Sequence, residues 1–136
     1  MLINDKTSLR KHLIGLRNSL SKEYLIASDR TIAEKLFDCE EYIKSDLVLI
    51  YVSVRNEIST SQIINHSFKL GKRIAIPYCT HNEMYFYEIT DLSDLTESQF
   101  GIPTVNPENK NPVFIDKNSL CIVPALAFDS DGNRLG

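Results

Sequence analysis

Apolar and polar positions along the chain change period several times, and each change predicts an element. Leu9, Leu13, Leu16 and Leu20 recur three or four residues apart. That spacing predicts a first helix to about Leu20, capped by Asn4 or Asp5, with the leucines facing the core. Ser21 is placed to cap a second helix, with Glu23 in its first turn. Its stripe of Leu25, Ile32 and Leu36, flanked by Ile26, Ala33 and Phe37, implies a packing role alone. Leu47-Val-Leu-Ile-Tyr-Val52 is continuously apolar, the pattern of a central strand covered on both faces. Ser59 and Gln62 have capping-box spacing for a third helix through about Leu70, which Gly71 ends. Arg73-Ile-Ala-Ile-Pro77 supplies the next strand. A strand, helix and strand in this order imply two parallel strands joined by a right-handed crossover.

The second half is less regular. Met84-Tyr-Phe-Tyr-Glu-Ile89 is aromatic and partly alternating, as in a strand nearer a sheet edge, and its tyrosines read first as strand packing. From Phe100 to about Asn118 the chain is rich in Pro and Asn without an apolar period, the composition of a long lid or binding loop. The run from Leu120 to Val123 and on to Phe128 predicts a last strand buried on both faces. It enters a turn at Asp129-Ser-Asp-Gly-Asn133. Open α/β sheets bind ligands beyond the carboxyl ends of their strands, so this strand would bring Asp129 and Arg134 to such an edge.

Composition narrows the classes. The chain has 136 residues, enough for one domain with its own core, and is 43% hydrophobic and 24% charged. A net charge of −3 offers no general attraction to nucleic acid or an anionic membrane. No apolar run approaches the roughly 20 residues of a membrane span, and Met1 to Lys6 lacks a signal peptide's apolar region. A cytoplasmic protein without nucleic-acid or membrane partners is expected. Cys39, Cys79 and Cys121 lack paired metal spacing and are expected as buried free thiols of a reducing compartment. His12, His66 and His81 are equally scattered, which argues against zinc.

The candidate chemistry is carried by a few charged residues. Neither a P-loop nor a dinucleotide fingerprint occurs. The five glycines are Gly15, Gly71, Gly101, Gly132 and Gly136, so a backbone cradle for phosphate could begin only at Gly136. Lys6 and Arg10 lie one helical turn apart, and Arg17 roughly continues their row. On spacing alone this reads as a solvated basic face. Glu57 falls just past the carboxyl end of the first strand, as a solvated loop acid or a functional carboxylate.

Val123-Pro-Ala-Leu-Ala-Phe-Asp129 followed by Gly132-Asn-Arg-Leu-Gly136 resembles the signature of the 5-formyltetrahydrofolate cyclo-ligase (methenyltetrahydrofolate synthetase) family. Three further stretches resemble it: Lys6 to Arg10, Tyr51-Val-Ser-Val-Arg-Asn-Glu57-Ile-Ser-Thr60, and Phe100-Gly-Ile-Pro103. Thr104-Val-Asn-Pro107 departs from the family's usual acidic residue and second proline. The chain ends at Gly136, inside the glycine-rich motif. The resemblance therefore implies a single, C-terminally truncated α/β domain over 1–136. Its fold would be a three-layer Rossmann-like sandwich, a mostly parallel sheet with helices on both faces, lacking the family's C-terminal elements. It implies an ATP- and Mg²⁺-dependent ligase of one-carbon metabolism, a monomer that closes 5-formyltetrahydrofolate to 5,10-methenyltetrahydrofolate. Lys6, Arg10, Arg134, Leu135 and Gly136 would contact ATP, and Val52 and Glu57 the folate. The family's metal-binding aspartates lie beyond Gly136, leaving Asp129 as the candidate for a metal or its bound water. The alternatives are a folate- or nucleotide-binding relative without turnover and an α/β interaction domain.

Overall fold

The protein is described from a computed structural model, over residues 5–98 and 101–136. The Asn4 cap and Phe100 lie outside the described residues. Helix α1 spans Lys6–Asn18, and Asp5 caps it by accepting a hydrogen bond from the Ser8 amide at 2.8 Å. Helix α2 spans Lys22–Phe37, with the Ser21 hydroxyl accepting from the Tyr24 amide at 3.1 Å. A five-residue helix α3, Glu40–Lys44, then turns the chain into strand β1, Leu47–Ile50. Helix α4, Ser61–Lys69, connects β1 to β2, Arg73–Cys79, and β3, Met84–Ile89, returns beside it. Gly71 follows α4 with φ +74°, the left-handed geometry that ends the helix.

The sheet order is β3-β2-β1-β6, with β6 at Ser119–Ile122. β1 pairs in parallel with both β2 and β6, and β3 pairs antiparallel with β2. This is the mixed, mostly parallel α/β arrangement that the pattern predicts, with the aromatic strand at an edge. All four β1 residues are buried because both faces are covered: Val48 and Ile50 enter the main core, and Leu47 and Leu49 pack with Ala75, Phe86 and Val113 on the other face. Val48, Ile50, Ile63, Ile64, Ile74, Ile76 and Ile89 form the centre of the core. Tyr42 of α3 is buried with them, and its hydroxyl meets the Ser67 hydroxyl at 2.8 Å, which satisfies two polar groups together.

Several expectations are corrected. Helix α1 buries none of its residues, and Leu16 and Leu20 are exposed. Of its apolar stripe only Leu20, just past the helix, lines the cleft described below. Only Ala33 of α2 is fully buried; Ile26 and Ile32 are exposed. The cap of α4 is Thr60, and the Ser59 amide is turned to Asp29. The segment after residue 100 is not wholly a loop. β5, Pro103–Val105, pairs with β4, Leu95–Glu97, and the Thr104 hydroxyl donates to the Pro77 carbonyl at 3.0 Å, seating Val105 in the core.

The last apolar run is also not one buried strand. β6 stops at Ile122, Pro124 interrupts the ladder, and a short hairpin follows. That hairpin comprises β7, Ala127–Phe128, and β8, Arg134–Leu135. Proline has no N–H for a ladder, so the strand breaks there. Finally, the thiols are free but not buried: Cys39 is half-exposed, and Cys79 and Cys121 are exposed. Among the described residues, no helix is long and apolar enough to cross a membrane.

Candidate functional site

The carboxyl ends of β1 and β6 open side by side because the strands are parallel and in register from Leu47 and Ser119 to Ile50 and Ile122. A cleft of about 360 Å³ lies beyond them. Ile63, Ile122 and Leu36 contribute apolar wall, and Tyr24, Val123 and Phe128 form an exposed apolar rim. The polar groups are few: Arg17 from α1, Ser28 from α2, and Tyr51, Asn56 and Glu57 from the segment after β1. An apolar slot with a small number of polar groups suits a flat, largely organic ligand.

The segment 53–60 is held firmly. The Ser53 amide donates to the Thr60 hydroxyl and the Thr60 amide to the Ser53 hydroxyl, each at 3.1 Å. The Tyr51 hydroxyl donates to the Ile58 carbonyl at 2.9 Å. Within this frame the Val54 amide donates to Glu57 Oε2 at 2.9 Å, and the Glu57 amide returns a bond to the Val54 carbonyl at 3.2 Å. The reciprocal pair fixes the direction of the carboxylate without consuming both its oxygens. Arg55 between them has φ 53°, a conformation a non-glycine residue keeps only where its surroundings impose it. Asp29 of α2 accepts from the Ser59 amide at 2.9 Å, and Asn56 donates to Asn18 of α1 at 3.1 Å. Burial pushes the Tyr51 hydroxyl up to about 12, aided by the Glu57 and Asp29 carboxylates and opposed by Arg17.

The predicted residues divide between this cleft and its surroundings. Glu57 lines it. Val52 packs against the core, and its neighbour Tyr51 takes the place on the wall. Arg134 reaches the site indirectly, donating from Nη1 to the carbonyl of the lining residue Pro124 at 3.2 Å. The Leu135 carbonyl accepts from the Leu126 amide at 2.8 Å, which closes the hairpin. Gly136 lies so near Ala125 that an added Cβ would stand 3.1 Å from its Cα. Lys6 and Arg10 are exposed and do not line the cleft. They share a face of α1 with Arg17, roughly 16 and 10 Å along the axis from it. The cation of that row at the cleft is therefore Arg17.

Asp129 organises its turn. Its Oδ1 accepts from the Asp131 and Asn133 amides at 3.0 and 2.8 Å, and its Oδ2 from the Asn133 side chain at 2.8 Å. The Asn133 bonds hold its carboxyl below the usual carboxylate range. Among the described residues, no three His, Cys, Asp or Glu side chains converge as a metal-holding group. The Asp129 carboxylate is thus engaged within its own turn, by Asp131 and Asn133.

Sequence periodicity did not single out Tyr24, Ser28, Asp29 or Tyr51 for the site. The only signal was indirect: polar or aromatic residues on the α2 face next to an apolar stripe, and Tyr51 at the end of an apolar strand.

Three comparisons bear on this geometry. The model of the 5-formyltetrahydrofolate cyclo-ligase family matches residues 2–136. A 5-formyltetrahydrofolate cyclo-ligase of Mus musculus is 28% identical over 138 residues, covering 96% of this chain and 68% of its own length. One of Haemophilus influenzae is 25% identical over 136 residues, covering 96% and 72%. The solved structure of an Aquifex aeolicus 5,10-methenyltetrahydrofolate synthetase superposes with a TM-score of 0.82 at 27% identity, over 96% of this chain and 66% of that one. The chain spans about two thirds of the length of the relatives it matches.

Proposed function

Since the chain belongs to the 5-formyltetrahydrofolate cyclo-ligase family, we propose that its cleft holds a reduced folate and that the chain serves the ATP-dependent closure of 5-formyltetrahydrofolate to 5,10-methenyltetrahydrofolate. The observation that carries this reading is the fixed carboxylate of Glu57 at the carboxyl edge of β1, inside an apolar slot. A pterin presents its 2-amino group and ring N3–H as a parallel donor pair, which one carboxylate accepts as a fork. Val52, next to the wall residue Tyr51 on the same segment, is the second residue assigned to the folate.

The chemistry requires a poor leaving group to become a good one. The formyl oxygen attacks the γ-phosphorus of ATP, the bond to the β,γ-bridging oxygen breaks, and ADP leaves. N10 then attacks the activated carbon and gives up its proton to solvent. The carbon–oxygen bond breaks, and inorganic phosphate departs as the methenyl bridge forms. Such a sequence depends on alignment and charge neutralisation, without a protein nucleophile. Lys6 and Arg10, in line with the cleft-facing Arg17, supply cations along the direction a triphosphate would take. Arg134, Leu135 and Gly136 approach the cleft from the hairpin side. Mg²⁺ finds no protein ligand set among the described residues, and no step is assigned to it. The same reading takes the chain as a cytoplasmic monomer acting on small molecules.

The test is direct. The purified chain, incubated with ATP, Mg²⁺ and 5-formyltetrahydrofolate, should develop methenyl absorbance in step with ADP release. A flat trace with both ligands still bound would reduce the function to binding, and failure to bind either would overturn it.

A further inference from the structure

Arg17 combines two features that the fold does not explain. It lines the cleft from α1, and its Nε–H is buried without a hydrogen-bond acceptor. Leaving a buried donor of a charged group unpaired is costly, and the expected remedy is an acceptor nearby. The obvious acceptor is Glu57, on the same cleft. Yet the ion pairs among the described residues are Arg30–Glu34, Lys44–Glu40 and Arg73–Glu88, so Arg17 and Glu57 stand more than 4.0 Å apart. Nor does Asp29, whose Oδ1 is engaged by the Ser59 amide, form an ion pair with it. A half-buried guanidinium and a fixed carboxylate thus share one apolar slot without meeting.

We propose that Arg17 binds the acceptor groups of the reduced pterin, the 4-oxo oxygen and the N5-formyl oxygen beside it, next to the donor pair taken by Glu57. The inference rests on the folate reading of the cleft and names the residue that would orient the head group within it. A pterin carries its donor pair and its 4-oxo acceptor on adjoining positions of one ring. A site with an acid and a base held apart by a gap is complementary to that order of groups. A small rotation of the Arg17 side chain toward the ligand would give its stranded N–H an acceptor. Binding then recovers a penalty that the free protein bears. The formyl oxygen would be held where the reaction needs it, and the guanidinium would remain beside it as charge develops there.

Binding by calorimetry to the 136-residue chain and to its Arg17→Gln and Arg17→Met variants tests this, with three probes. They are 5-formyltetrahydrofolate, a 5-formyltetrahydropterin without the benzoylglutamate tail, and ATP. The expected result is a loss of about 10- to 100-fold for both pterin ligands and unchanged ATP affinity, the scale of one charge-assisted hydrogen bond. The thermal midpoint of unliganded Arg17→Met should equal or exceed that of the wild type, because the variant removes an unpaired buried donor. A loss confined to the ligand with the tail would assign Arg17 to a tail carboxylate and overturn the proposal. A loss for ATP, equal pterin affinities across variants, or a marked fall in the midpoint would overturn it as well. If the wild type binds neither pterin ligand, the folate reading itself fails, a result distinct from wild-type binding that the variants retain.

Discussion

The two strands that open onto the cleft are neighbours in one sheet, and their continuations are secured differently. β1 is covered on both sides, and the segment that follows it is tied outward to α1 through Asn56 and Asn18 and to α2 through Ser59 and Asp29. β6 is an edge strand, with Cys121 exposed, and among the described residues the hydrogen bonds of 124–135 stay within that segment. The acid side of the site is therefore organised before any ligand arrives. The side carrying Arg134 is a hairpin that follows the end of β6 and is bonded within itself. Rigid placement of a recognising group raises affinity by cutting the ordering cost of binding. Folate recognition should consequently reside mainly on the β1 side.

The largest effect that would sharpen this contrast is on stability. Ile50→Ala removes a side chain that is 1% exposed and should cost about 2–4 kcal/mol in urea unfolding. Ile122→Ala, at the half-exposed position paired with it, should cost about 1 kcal/mol. Equal costs would break the comparison. Next in size is binding. Glu57→Ala should weaken 5-formyltetrahydrofolate by about 10- to 100-fold in calorimetry while leaving ATP nearly untouched, and Arg134→Ala should do the reverse. Small, equal changes would remove both roles.

The smallest effects are titrations, and they attack the two sides at opposite ends of the pH scale. Tyr51 has its folded pKa raised to about 12 from 10.0, so its contribution is complete below pH 10 and is lost as pH rises toward 12. Asp129 has its folded pKa lowered from 3.8, so its contribution is present above that value and is lost as pH falls through the lower one. Amide spectra should show 53–60 loosening in alkali, a change that Tyr51→Phe abolishes, and the Asn133 amide shifting in acid. Loosening of both segments together at one end would contradict the separation.

How much of this was legible in the sequence depended on what each pattern encodes. A strand covered on both faces writes its burial into every position, so Leu47–Ile50 was legible, and the aromatic Met84–Ile89 announced its edge position. Helical periodicity states which residues share a face but not what that face meets. Leu16 and Leu20 accordingly recur as a core stripe would, yet both are exposed, and Leu20 lines the cleft. Pro124 was visible as a ladder breaker inside an apolar run, and the run outweighed it. α3, at five residues, is too short to carry a period. Glu57 was legible from its place after a strand. Arg17 was visible only as part of a basic row, because an unpaired N–H is a property of packing in three dimensions.

The central claim is that the cleft beyond β1 and β6 receives the pterin of a reduced folate on the Glu57 side. A titration of the isotopically labelled chain with 5-formyltetrahydrofolate, followed by amide and guanidinium resonances, tests it most directly. The account predicts saturable shifts at Val54, Glu57 and the Arg17 Nε–H, with Asn133 changing least. Shifts centred on the β2–β3 hairpin, or a Val54 amide that does not respond at saturation, would contradict it.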